Sequence, residues 1–189
     1  MKKLTLLLVL LSSSFIFYSN NSSAQSTCNC YIAPDASYTL GLSASDDGST
    51  LPISIPFNFC FYGTNYTAVY INNNGNITFG TPFGSFSATG FPTTAAPMIA
   101  PFWADVDTRG GGAVYYKITS TAIFINWQAV GYYAYHNDKV NSFQLILTNG
   151  SDPILPNGTN LAFCYGDMQW TTGDASGGLG TGFGGTAAT

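Results

Sequence analysis

Glutamate is absent from this chain, and charge of either sign is scarce. The 189 residues carry nine acidic groups, all aspartate, and five cations, so charged residues are only 7% of the total. A soluble domain ordinarily devotes about a quarter of its residues to charge. Arg109 is the one arginine and His136 the one histidine. The chain therefore lacks the basic footprint that nucleic acid demands, and nucleic acid is excluded as a partner. Helical periodicity is missing too: no window holds it for ten residues, because glycine (21) and proline (9) interrupt too often. Nor does any apolar run reach the roughly 20 residues that a spanning helix needs.

The N-terminus sets the compartment. Lys2-Lys3, the apolar run from Leu4 to Leu11, and the small polar residues ending Ser22-Ser23-Ala24 form the pattern of a secretory leader. Residues 1–24 are expected to be removed, leaving a secreted or cell-surface chain with no membrane span. In that remainder only Arg109, Lys117 and Lys139 stand against the nine aspartates. Asn, Thr, Ser, Gly and Tyr replace charge on a surface suited to uncharged hydrogen bonds and aromatic faces.

Four cysteines, Cys28, Cys30, Cys60 and Cys164, follow the leader. An even count in an exported chain predicts disulfides. Cys28 and Cys30 are too close to bridge each other, since extended neighbours two apart point the same way. They are expected to pair with Cys60 and Cys164, in one order or the other. A bridge closing a loop of that length contributes about 3–5 kcal/mol in the chain-entropy model. Residues 25–54 then read as an N-terminal segment packed onto a domain formed by residues 55–189.

That domain reads as all-β, an antiparallel sandwich or barrel-like sheet pair with long loops. Short runs rich in aromatic and β-branched residues recur at Ser37–Leu42, Ile53–Phe61, Ala68–Ile71 and Ile77–Phe79. Further runs follow at Ala113–Thr119, Ile123–Val130, Ser142–Thr148 and Leu161–Tyr165. Asn74-Gly75 is the strongest hairpin signal, because a type I′ turn needs positive φ at both central residues. Ala44-Ser-Asp-Asp-Gly-Ser49 reads as a turn, 93–98 allows one helical turn, and the glycine-rich tail from Thr171 to Thr189 looks like a linker.

The only grouping of two acids and a base is Asp105-Val-Asp107-Thr-Arg109, at the end of the apolar run Met98–Trp103. On an extended backbone Asp105 and Asp107 share a face, so they are the candidate calcium ligands, with backbone carbonyls or Asp138 completing the shell. Against this, Asp105 pairing with Arg109, or capping a turn, is the structural alternative. A glycosidase needs two carboxyls roughly 5–10 Å apart across a cleft, and no such pair stands out. No catalytic residue is expected. Tyr132, Tyr133, Tyr135 and His136 gather in one loop, and Trp170 lies in another; stacked rings of this kind bind sugar faces or a protein partner. Trp103 and Trp127 sit within strand patterns and are expected in the core.

Four blocks, in order, resemble the nidogen-like (NIDO) domain family: Phe61–Phe79, Ala100–Arg109, Val130–Tyr133 with Asp138–Leu147, and Cys164–Trp170. The resemblance implies an extracellular, non-catalytic domain of cell–matrix adhesion. Its partner would be a matrix or cell-surface protein or a glycan, and the leader ending Ser-Ala-Gln fits an exported bacterial surface version. A carbohydrate-binding module using the aromatic loops is the alternative. Relatives continue past the glycine-rich stretch into another strand, so the resemblance also implies a domain cut from a longer protein.

Overall fold

The strands follow from the alternation of the sequence, and the longest hairpin shows it best. In the computed structural model, which describes residues 30–93 and 96–189, β8 (Ala122–Tyr132) pairs with β9 (His136–Thr148). The leader, Cys28 and two residues of the expected helical turn lie outside the described residues. Ile123, Ile125 and Trp127 of β8 face inward beside Phe143, Leu145 and Leu147 of β9, all fully buried. Trp127 and Phe143 are register partners and stack 5.0 Å apart at 11°. Each such side chain contributes about 1.5–3 kcal/mol by leaving water.

Around this hairpin a six-stranded sheet forms in the order β1 (Thr39–Leu42), β7 (Ala113–Ile118), β8, β9, β10 (Leu161–Met168). β6 (Val106–Asp107) adds to the far end of β8, placing Asp107 opposite Gly131. The second sheet has four strands in the order β2 (Ile53–Phe61), β3 (Thr64–Asn72), β4 (Asn76–Thr78), β5 (Met98–Ile99). Every strand pairing within the two sheets is antiparallel among the described residues. Ile55, Phe59, Val69, Ile71 and Ile77 of the smaller sheet meet the inward side chains of the larger one. The two sheets make an open sandwich, not a closed barrel.

Alternation sends Phe124, Asn126, Gln144 and Ile146 to the outer face of the large sheet, where residues 30–38 cover them. A disulfide joins Cys30 to Cys164 across 134 positions. Asn126 Nδ2 donates to the Ile32 carbonyl at 2.8 Å, and Gln144 accepts from Ile32 N at 3.3 Å. These bonds satisfy polar groups that the covering strand would otherwise strip of water. Of the expected pairs, Cys30–Cys164 is formed; Cys60, exposed on β2, has no disulfide partner among the described residues, and Cys28 lies outside them. Cys60 belongs to the opposite sheet, across the core from the segment that carries Cys30.

A hairpin forms at Asn74-Gly75 with Asn72 opposite Asn76, but three residues cross between the strands and only Gly75 has positive φ, so the turn is not the expected type I′. Its tip is not in solvent, however. Asn72, Asn73, Asn74 and Asn76 are all buried. Trp127 Nε1 donates to the carbonyls of Asn72 and Asn73, and Gly75 packs so closely that a Cβ would sit 1.8 Å from the Phe102 oxygen. With φ at +75° as well, position 75 admits only glycine.

The glycine-rich tail is also a folded element. It opens with the short 3-10 turn Asp174–Ser176 and returns so that Thr189 exchanges backbone hydrogen bonds with Trp103 at 2.9 and 3.1 Å. Thr171 N and Thr172 N both donate to the Gly182 carbonyl. Its glycines serve close approach: a Cβ at Gly185 would sit 2.1 Å from the Ser176 carbonyl oxygen, and one at Gly173 would lie 2.4 Å from the Asp105 Cβ.

Candidate functional site

β6 and the residue before it present the acidic corner, and the two aspartates there have opposite surroundings. Asp107 is fully buried and fully bonded. Its Oδ1 accepts from Arg109 N at 2.9 Å and Arg109 Nε at 2.8 Å. Its Oδ2 accepts from Arg109 Nη2 at 2.6 Å and Tyr135 N at 2.9 Å. Burial alone would raise this carboxyl, but the bonds from Arg109 and Tyr135 outweigh it and hold it below the ordinary value. Arg109 is raised in turn, first by its hydrogen bonds to Asp107. The guanidinium also pairs with Asp46 Oδ2 at 2.9 Å and lies 4.2 Å from the centroid of the Tyr135 ring. Nothing is left on Asp107 for a cation.

Asp105 is only 2% exposed and its Oδ2 has no hydrogen-bond partner. Tertiary folding sets it beside the Ser45-Asp-Asp-Gly48 turn. One carboxylate oxygen from each of Asp46, Asp47 and Asp105 lies within 4.8 Å of the others. Asp46 Oδ1 is likewise buried and unpartnered, and Asp47 Oδ1 accepts from Asn74 Nδ2 at 2.8 Å. Burial, and then the carboxylates of Asp46, Asp47 and Asp107, push Asp105 up to about 7. Burial also raises Asp46, with Asp47 and Asp107 adding to it.

The expected calcium pair is therefore not brought together as one ligand set, because Arg109 claims Asp107 while Asp105 turns to the 46–47 turn. Asp138 stands elsewhere, accepting from the Tyr132 hydroxyl at 3.0 Å and from Lys139 at 2.8 Å. Asp46 and Asp47 went unnoticed in the sequence because an Asp-Asp-Gly run is also an ordinary turn. The signal was the adjacent carboxylate doublet itself, in a chain poor in charge.

The aromatic candidates divide. Tyr132 and Trp170 are buried core residues: Trp170 Nε1 donates to Val130 O at 3.0 Å and its ring meets Phe102 edge-on. Burial, then Asp138, raises the Tyr132 hydroxyl to about 12. His136 stacks on Tyr132 at 4.5 Å and pairs with Asp174 Oδ2 at 3.0 Å. Tyr133 is half-buried, and Tyr135, 60% exposed, has one ring face under Arg109. A more open aromatic surface lies on the small sheet, where Phe61, Tyr62, Tyr66, Phe91, Pro97 and Met98 line a cavity of about 750 Å³. Tyr62, at its rim, is 92% exposed.

Among curated proteins the chain is similar to alpha-tectorin of Mus musculus, at 34% identity over 171 residues, covering 76% of this chain and 8% of that protein. It is similar to dendrite extension defective protein 1 of Caenorhabditis elegans, at 30% identity, covering 71% and 13%. Nidogen of Drosophila melanogaster follows at 27%, covering 69% and 12%. The chain thus spans about a tenth of the length of the curated relatives it matches. No solved structure matches it. The Cys30–Cys164 bridge accords with an extracellular setting. Residues 20–187 match the family model described as NIDO related, and the chain belongs to that family.

Proposed function

We propose that this domain is a non-catalytic interaction module of the extracellular matrix, acting in cell–matrix adhesion. The family match over residues 20–187 carries the reading, with relatives that include nidogen and alpha-tectorin. The corner that most resembled an active site supports it. Asp107 and Arg109 satisfy each other and tie β6 to the turn at Tyr135, which is the work of a structural joint.

A protein partner is favoured over a glycan. Two of the rings a sugar would stack on, Tyr132 and Trp170, are inside the core, and Arg109 covers one face of a third. The exposed Tyr62 and the apolar cavity beside it offer the kind of aromatic anchor that protein interfaces use. The test is binding of the secreted chain to arrays of matrix proteins and of glycans. Binding to a matrix protein that free glycan does not block, and that Tyr62→Ala weakens at least tenfold with the melting curve unchanged, is the expected result. Capture only by glycans, blocked by free sugar, would replace this reading with a carbohydrate-binding module.

A further inference from the structure

We infer that Asp46, Asp47 and Asp105 form a calcium site that pins the 45–48 turn to the segment entering β6. The first observation is geometric. Calcium takes oxygen ligands at about 2.3–2.6 Å, so two atoms on one ion cannot be more than about 5 Å apart. One carboxylate oxygen from each of these three residues meets that limit, all lying within 4.8 Å of one another.

The second observation is independent of the clustering. Asp46 Oδ1 and Asp105 Oδ2 are the buried side-chain polar atoms without a hydrogen-bond partner among the described residues. Both belong to members of this trio, and Asp105 is almost wholly enclosed. Buried acceptors are ordinarily bonded, so two left open on members of one carboxylate trio point to a ligand that supplies positive charge. Arg109 does not supply it to Asp105: its guanidinium bonds are to Asp107 and to the other oxygen of Asp46.

The chemistry of the donors selects the ion. All three are hard carboxylate oxygens, and neither histidine nor thiolate is among them. That set suits calcium or magnesium rather than zinc or copper. Calcium is favoured because it tolerates irregular shells of six to eight oxygens, whereas magnesium demands a near-ideal octahedron. Water and nearby backbone carbonyls would fill the remaining positions. The fold has made room for the arrangement: Gly173 has no side chain where one would collide with Asp105, and position 84 is so close to the Asp47 carbonyl that a Cβ would stand 2.8 Å away. The inference does not depend on which partner the domain binds.

The experiment is thermal melting of the full secreted chain in EDTA, in 10 mM calcium chloride and in 10 mM magnesium chloride. Extracellular calcium modules bind with dissociation constants of about 0.1–1 mM, so calcium should raise the melting temperature by about 3–10 °C. Magnesium should raise it by less than half as much. Asp105→Asn and Asp47→Asn should each abolish the rise, while Asp167→Asn, a carboxylate outside the trio, should keep it. Each variant's own melting transition in EDTA establishes that it is folded, and terbium luminescence reads the site without reference to stability. Identical wild-type curves in calcium and EDTA without terbium sensitisation would overturn the site. So would a calcium response retained by both trio variants, and an equal response to magnesium would overturn the choice of ion.

Discussion

Asp105 and Asp107 stand two residues apart on one short strand approach, yet the protein treats them as different chemical objects. Asp107 has four hydrogen-bond donors, two of them on a guanidinium, and its carboxyl is held below the ordinary value. Asp105 has an unpartnered oxygen and three carboxylate neighbours, and its carboxyl is raised to about 7. Burial is nearly the same for both, so burial does not decide what a buried carboxylate becomes. The partners do: an arginine makes one a joint, and two further aspartates crowd the other with negative charge.

The sharpest way to break the comparison is Asp107→Ala. It leaves the Arg109 and Tyr135 donors without their acceptor, and should cost about 3–5 kcal/mol in urea unfolding. A loss below about 1 kcal/mol would show that the joint is dispensable. Asp105→Asn should act with the opposite sign. The folded pKa of Asp105 lies above its unfolded value, so without cation the folded protein binds the extra proton. Asp105's contribution to stability in EDTA should therefore be fullest below about pH 4 and fall as pH rises through about 7. Removing the charge should restore on the order of 1–3 kcal/mol at pH 8 and flatten that slope. Asp107 works in reverse, its contribution being present above the ordinary carboxylate range and lost as pH falls through its lowered value.

Gly173→Ala should cost about 1–2 kcal/mol, because its Cβ would strike Asp105 and lift the tail from it. It should also weaken the calcium response, whereas a flexible tail would tolerate alanine unchanged. The smallest effect belongs to Tyr135→Ala. Its exposed ring gives Arg109 only a cation–π contact, so the melting temperature should fall by about 2 °C.

What the sequence disclosed was local. Strict alternation in Phe143, Leu145 and Leu147 announced β9, and Asn74-Gly75 announced its turn, because both signals are read within a few residues. What it hid was long-range. Asn72, Asn73 and Asn74 sit at a hairpin turn, yet they are buried because Val106, Thr108, Trp127 and Asp47 supply partners from distant elements. Glycines in the tail read as a linker, since composition alone cannot separate flexibility from close approach. Asp105 was visible as a candidate, but its company was not. Asp46 and Asp47 lie some sixty residues away, joined to it only when the 45–48 turn docks on the β3–β4 turn.

The contrast between the two aspartates can be read directly by carboxyl carbon NMR during a pH titration of the full chain in EDTA and again in calcium. Asp105 should titrate near pH 7 in EDTA and lose that transition when calcium is added, while Asp107 stays below the ordinary carboxylate value in both. An Asp105 that titrates near 4 and ignores calcium would contradict the account.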